Sequence, residues 1–221
     1  MTTQNNVFII TSTINTNWGL ISSNDRYLQT LDTISSIKQK DNTATIILID
    51  NSTQPLSDEQ YDLLVKQVTY FLDIGNRKPC IEFNKNGAKG AGEAYMLLVA
   101  LDLVKQLNLT PKRLFKISAR YKLSNEFNIN FYDTVTNKYV FKSRNTNEYG
   151  LVSLHARLWS VCGSLISNMK ELVSQSLYKH IAEATTIEEA MFKIIDKDLL
   201  VEVEQIHCEG IIAPWNQLIN D

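Results

Sequence analysis

A disulfide framework is missing from this sequence. Its three cysteines, Cys80, Cys162 and Cys208, are odd in number, far apart and without C-x-x-C spacing, which reads as reduced thiols in a reducing compartment. At 221 residues a chain buries a core large enough to fold without such staples. A dominant charge is missing as well. With 22 basic against 24 acidic residues and a formal charge of -2, nothing draws the chain as a whole to phosphate backbones or anionic membranes, and bulk nucleic-acid binding is not expected. No apolar run approaches the roughly 18 to 20 residues of a membrane helix. The opening Met1-Thr2-Thr3-Gln4-Asn5-Asn6 lacks the basic start of a secretory signal. Internal repeats, low-complexity tracts and linkers are also lacking, so the expectation is a soluble, cytoplasmic, single-domain protein.

What is present alternates between strand-like and helix-like patterns. Val7-Phe8-Ile9-Ile10, opening onto Thr11-Ser12-Thr13, predicts a first buried strand. Tyr27, Leu31, Ile34 and Ile37 recur at three- and four-residue spacing and predict a helix over 25–40, with Asn24 or Asp25 as its cap. Ala44 to Ile49 is apolar on both faces, as in a central parallel strand, and stops at Asp50-Asn51-Ser52. Strand, helix, strand within about 45 residues is a βαβ unit, whose functional loops lie at the carboxyl ends of the strands.

Ser57-Asp58-Glu59-Gln60 is a capping-box pattern. It predicts a second helix with Tyr61, Leu64, Val65, Val68 and Phe71 or Leu72 inward, ended by Gly75-Asn76. Cys80 to Phe83 predicts a third strand, residues 92–107 a helix, and Arg113 to Ile117 a fourth strand. Further on, strands are expected at 139–142 and 152–154, a helix over roughly 164–184, a helix with a capped start in Thr185-Thr186-Ile187-Glu188-Glu189 running to about 196, and an edge or half-exposed strand over Leu200–Ile206.

Four constellations carry chemistry, each with an ordinary structural alternative. Asp50-Asn51-Ser52, at the end of the most apolar strand, suits hydrogen bonding to a base or ribose hydroxyl, yet these are also common turn residues. Asn86-Gly87-Ala88-Lys89-Gly90-Ala91-Gly92-Glu93 brings glycines and a lysine to a helix start, which suits a diphosphate or is a structural loop. It matches neither a Walker A loop nor a dinucleotide fingerprint. Ser118-Ala119-Arg120-Tyr121-Lys122, with Arg113 and Lys116 just before it, offers a guanidinium for phosphate and a ring to stack on a sugar face. The alternative is a salt-bridged surface arginine. Glu188 and Glu189 open a helix, where a carboxylate acts as a general base or merely complements the dipole. His207, beside Cys208 and Glu209, is a candidate metal ligand or a hydrogen-bonded loop histidine; His155 and His180 show no ligand spacing.

Taken together, the opening strand, the helix 25–40, Ile49-Asp50-Asn51-Ser52, the loop from Asn86-Gly87, the strand ending at Ser118 and, more loosely, Ile187-Glu188-Glu189 resemble the inverting, family-2-like glycosyltransferases of the GT-A fold. That resemblance covers roughly the first 120 residues. It implies an α/β architecture with a mostly parallel, Rossmann-related central sheet, residues 1–123 forming a nucleotide-binding half and 124–221 an acceptor-side half. The implied donor set is Thr11, Thr13, Arg26, Asp50, Asn51, Ser52, Asn86, Gly87, Lys89, Gly90, Glu93, Ser118, Arg120 and Tyr121, with Asp50 at the base. Glu188 and Glu189 resemble the Glu-Asp motif that supplies the catalytic base, with Glu189 at the second position. The implied partners are a nucleoside diphosphate sugar and a glycan or other hydroxyl acceptor, with self-association left open.

One departure stands out. Ser118-Ala119-Arg120 replaces the family's Asp-x-Asp, which holds a divalent manganese or magnesium ion, so metal dependence is in doubt and Arg120 or Lys122 can supply the charge instead. The Ser-x-Arg-Tyr variant also resembles small GT-A-like proteins of large viruses and phages, which would place the chain in a host cytoplasm. A nucleotidyltransferase on a related sheet should still need acidic metal ligands. A non-catalytic glycan- or protein-binding module of the same fold is the other alternative. A methyltransferase is disfavoured because Thr11 to Gly19 lacks a glycine-rich turn.

Overall fold

In the computed structural model, which describes residues 5–16, 19–212 and 217–221, the first strand β1 (Val7–Ser12) is buried along its whole length. Its side chains alternate between two cores. Val7 and Ile9 face one cluster, with Ile47, Ile49 and the helix residues Ala94, Leu97 and Val173. Phe8 and Ile10 face the other, with Ile34, Ile37, Leu48 and Phe115. A sheet covered on both faces needs apolar residues at every position, which is what β1 and β2 (Thr45–Asp50) supply.

Helix α1 (Ser23–Lys40) is capped by Ser22, whose Oγ accepts from the Asp25 amide at 3.1 Å, rather than by Asn24 or Asp25. Tyr27, Ile34 and Ile37 are buried as the spacing predicted, while Lys38 and Lys40 in the last turn complement the helix dipole. The βαβ expectation is met: β1 and β2 pair in parallel, Val7 opposite Thr45 through Ser12 opposite Asp50.

The stretch after Ser57 corrects the expectation of one long helix followed by a strand. Helix α2 (Asp58–Gln67) starts with the expected capping box but ends early. Leu64 is its buried residue, and Tyr61 and Val65 are exposed. Tyr70–Asp73 forms the edge strand β3, parallel to β2, because the aromatic pair Tyr70-Phe71 fits the pleated edge and Phe71 meets Tyr61 at 5.2 Å. The expected strand at Cys80–Phe83 is the helix α3 (Lys78–Lys85), with Pro79 in its first turn, where a missing amide costs nothing. Gly75 permits this compact turn: a Cβ there would lie 2.0 Å from the Ser52 carbonyl oxygen.

Helix α4 (Lys89–Gln106) begins three residues before the expected start, taking in Gly90 and Gly92. Strand β4 (Arg113–Ser118) pairs in parallel with β1. Beyond it come β5 (Tyr121–Leu123), α5 (Ile129–Thr134), β6 (Tyr139–Lys142), the short pair β7 (Asn145–Thr146) and β8 (Val152–Ser153), and β9 (Leu158–Cys162). Helices α6 (Ile166–Glu183) and α7 (Ile187–Ile194) precede β10 (Leu200–Val203), β11 (Cys208–Ile212) and β12 (Gln217–Asn220).

The main sheet has seven strands in the order β10-β6-β9-β4-β1-β2-β3, and β10 is the edge strand its alternation suggested. Only β9 runs antiparallel to its neighbours β4 and β6. A three-stranded sheet, β12-β11-β5, lies beside α1 and contributes to the Phe8 core. The cysteines are unpaired. Among the described residues no helix is long and apolar enough to cross a membrane.

Candidate functional site

The carboxyl ends of β1, β2 and β4 open on one side of the sheet, and the start of α4 faces them across a cleft. Thr11, Ser12 and Thr13 from β1 and its loop, Asn51 after β2, and Ser118, Ala119 and Arg120 at the end of β4 form one wall. Arg26 and Thr30 come from α1, and Phe83, Asn84, Gly87, Lys89, Glu93 and Met96 close the cleft from α3, α4 and the turn between them. This is where a parallel sheet offers ligand-binding loops. Three cations and one carboxylate line the cleft among the described residues, so it favours an anionic ligand.

Asp50, which the resemblance placed at the nucleobase, is not among the residues lining this cleft. Only 1% exposed, it lies beneath the loops. One oxygen accepts from Ser12 Oγ and from the Ile14 amide at 3.0 Å, and the other from the Ser52 amide at 2.8 Å. Burial pushes its carboxyl up from the ordinary aspartate range despite these bonds. Its acceptor capacity holds the β1 and β2 loops together, helped by Ser52 Oγ, which accepts from the Asn15 amide at 2.8 Å. Asn51 does reach the cleft: its Oδ1 accepts from Thr13 Oγ1, and its carbonyl accepts from Asn84 Nδ2 at 3.0 Å. A Cβ on Gly92 would sit 3.1 Å from Asn51 Nδ2, so that glycine serves close approach of helix and loop.

Arg120 lies 5.6 Å from the Tyr121 ring centroid and has no ion pair among the described residues. Tyr121 is buried on β5 between Arg120 and Arg157 and does not face the cleft. Arg26 donates to the carbonyls of Ile21 and Thr13, each at 3.3 Å. Burial, and then repulsion from Arg120, pull its guanidinium below the ordinary range. Two mutually repelling guanidiniums at one opening are relieved by an anion between them. Lys89 is exposed at the first position of α4. Asn86 is exposed in the preceding turn, while Gly90 packs α4 against α7, where a Cβ would lie 3.1 Å from Ile187 Cγ1.

Behind the cleft is a charge cluster that the sequence did not single out. Lys116, in the middle of β4, has a side chain with 0% exposure. Its Nζ donates to Glu93 Oε1, to Ser118 Oγ at 2.7 Å and to the Ala156 carbonyl. Burial, the largest single influence, acts to raise the Glu93 carboxyl, but the Lys116 ammonium and its hydrogen bond, the Arg120 charge and the Ser118 hydroxyl together outweigh it and hold Glu93 below the ordinary range. Glu188 is pushed the opposite way, by burial and then by the Glu93 charge. The signal available in the sequence was a lysine inside the run Leu114-Phe115-Lys116-Ile117, since a buried ammonium demands a partner.

The two acids expected at the start of α7 part ways here. Glu189 completes the capping box with Thr186, accepting from its amide at 3.3 Å, while Glu188 is the one near Glu93. His207 sits in a left-handed loop conformation (φ 56°), its carbonyl accepting from the Ser124 amide at 2.9 Å, and does not line the cleft. Among the described residues no group of three or more His, Cys, Asp or Glu side chains is placed to hold a metal ion. With Ser118 and Arg120 after β4, Glu93 is the one carboxylate among the described residues that lines the cleft, and one of its oxygens is engaged by Lys116.

No known family's sequence profile matches the chain, and neither does any curated protein sequence. Solved structures do match. The bifunctional glycosyltransferase WbbM superposes with a TM-score of 0.54 at 8% identity over 90% of this chain, which spans only 39% of WbbM. The 4-diphosphocytidyl-2C-methyl-D-erythritol synthase superposes with a TM-score of 0.55 at 10% identity, over 96% of this chain and 95% of that one. A putative glucose-1-phosphate thymidylyltransferase from Bacillus anthracis gives 0.54 at 12% identity, over 93% and 89%. The chain thus has the mostly parallel α/β fold of GT-A-like glycosyltransferases and of nucleotidyltransferases.

Proposed function

We propose that the chain is a glycosyltransferase that moves a sugar from a nucleoside diphosphate sugar to an acceptor hydroxyl, with inversion and without a bound divalent metal. The observation that carries this reading is the ring of Arg26, Lys89 and Arg120 around a cleft at the strand ends; the Glu188 carboxyl is not among the lining residues and feels the charge of Glu93, which is. The diphosphate lies against Arg120, Arg26 and the start of α4. Charge building on the leaving oxygen is met by fixed cations, which act strongly in a partly desolvated cleft. Glu188 takes the acceptor proton as the acceptor oxygen bonds to the anomeric carbon and the nucleoside diphosphate departs. Its upward-shifted carboxyl makes it a better base than an ordinary glutamate. Residues 1–123 hold the donor and 124–221 supply the base and the acceptor side.

A nucleotidyltransferase is the second reading, favoured by the near end-to-end match to the erythritol synthase and the thymidylyltransferase. The experiment is product analysis in EDTA with nucleotide sugars and a panel of hydroxyl acceptors. Release of nucleoside diphosphate with sugar transfer is expected, falling about 100-fold or more in Glu188→Gln. Pyrophosphate release from a nucleoside triphosphate and a sugar phosphate would instead support nucleotidyl transfer. Binding without turnover would leave a glycan- or protein-binding module.

A further inference from the structure

Glu93 is out of place in a cationic cleft, and its geometry shows why it is there. Every hydrogen bond to its carboxylate goes to one oxygen: Oε1 accepts from Lys116 Nζ, from Ser118 Oγ at 3.3 Å and from Thr11 Oγ1 at 3.4 Å. Oε2 has no hydrogen-bond partner among the described residues, and the side chain is 32% exposed. It is the one carboxylate among the described residues lining the cleft, where the other charged groups are Arg26, Lys89 and Arg120. A bare phosphate or diphosphate would be repelled by it. A ligand that couples an anionic group to a hydroxyl satisfies both, the anion on the cations and the hydroxyl hydrogen on Oε2.

We propose that Glu93 Oε2 is a specificity-determining acceptor that reads a ligand hydroxyl, with Lys116, Ser118 and Thr11 clamping Oε1 so that Oε2 stays turned to the cleft. This rests on the nucleotide-sugar reading and deepens it. The hydroxyl belongs either to the ribose or to the transferred sugar. Lys116 is a positioning residue: sealed beneath the carboxylate, it keeps Glu93 an acceptor and never a donor. Sites built to bond a hydroxyl reject analogues lacking it far more strongly than apolar pockets reject a missing methylene.

Glu93→Gln tests this with little change of shape. Three donors converge on Oε1, so the glutamine carbonyl takes that position and its NH2 group takes the place of Oε2, turning the acceptor into a donor. The experiment is calorimetric titration of wild type and Glu93→Gln with inorganic pyrophosphate, nucleoside diphosphates, their 2′- and 3′-deoxy forms and nucleotide sugars. Far-UV circular dichroism confirms that the variant is folded. The expected result is a loss of about 10- to 100-fold for the hydroxyl-bearing ligands, the scale of a hydrogen bond to a charged group, with pyrophosphate binding unchanged or tighter. The deoxy form that wild type already rejects, and that the variant no longer discriminates, locates the hydroxyl on the ribose. Loss confined to nucleotide sugars locates it on the sugar. Equal affinities of both proteins for every ligand would overturn the role of Glu93 while leaving the donor site standing. No binding by wild type would overturn the nucleotide-sugar reading itself.

Discussion

Two acids, one lining the cleft and one beneath its loops, are used in opposite ways. Asp50, under the β1 and β2 loops, is sealed from solvent and carries bonds from neutral donors on both oxygens. Glu93, on α4 opposite β4, is paired with a buried lysine and keeps one oxygen uncommitted. Burial dominates at Asp50 and raises its carboxyl, whereas at Glu93 the largest single influence is again burial, but Lys116, Arg120 and the Ser118 hydroxyl together outweigh it and lower the carboxyl. Position at a strand's carboxyl end therefore does not make a ligand group by itself. What matters is whether acceptor capacity is left over once the local loops are satisfied.

The sharpest break in this comparison comes from removing one member of the buried pair. Glu93→Leu leaves the Lys116 ammonium without a counter-charge and is expected to lower unfolding stability by about 3 to 5 kcal/mol in chemical denaturation. Adding Lys116→Met to it should restore most of that loss. If the single variant is as stable as wild type, Lys116 is not held as a buried cation.

A second, smaller effect is in the pH dependence, where the two acids have opposite signs. A native state that binds more protons than the unfolded chain loses stability as pH rises. Asp50, raised above the ordinary 3.8, therefore contributes most below that value, and its contribution is lost as pH climbs toward its folded pKa. Glu93, lowered from 4.5, contributes fully above that value and loses its contribution as pH falls through its folded pKa. Stability measured against pH should steepen with acid in Asp50→Asn and flatten in Glu93→Gln. The same change of slope in both variants would contradict the contrast. The smallest effect belongs to Glu189→Ala, which removes one half of a capping box and should cost about 1 kcal/mol in thermal unfolding. Its rate of sugar transfer should stay near wild type, unlike that of Glu188→Gln.

The backbone of this fold was legible where burial on two sides forces long apolar runs. Val7–Ile10 read as a buried strand and Ala44–Ile49 as a central one because a sheet covered on both faces calls for short apolar, β-branched runs, and they lie within β1 and β2 but for Ala44. Edge elements carry weaker signals. Tyr70–Asp73 is half-exposed and hides in helix-like spacing with Val68 and Leu64, and its strand state comes from pairing with β2. Cys80 to Phe83 looks apolar enough for a strand, but Cys80 is the only residue of α3 it buries, and Pro79 marked a helix start. The antiparallel β9 was not foreseen, since Leu158–Cys162 reaches β4 and β6 only through tertiary pairing.

At the site, the loops at Thr11, Asn51, Gly87 and Ser118 converge as their places at strand and helix ends implied. Local pattern could not separate Glu188 from Glu189, because both suit a first turn, and only packing shows which one caps. Nor could it show that Asp50 faces inward, or that Lys116 and Glu93, 23 residues apart, meet.

The central claim is that Arg26, Lys89 and Arg120 bind the diphosphate of a nucleotide sugar without help from a metal. Isothermal titration of wild type and Arg120→Ala with nucleoside diphosphates and nucleotide sugars in EDTA tests it most directly. The account predicts saturable binding of one nucleotide class by wild type, weakened at least about tenfold by Arg120→Ala, the loss of a charge-assisted bond. Binding that appears only when manganese or magnesium is added, or that is indifferent to Arg120, would contradict it.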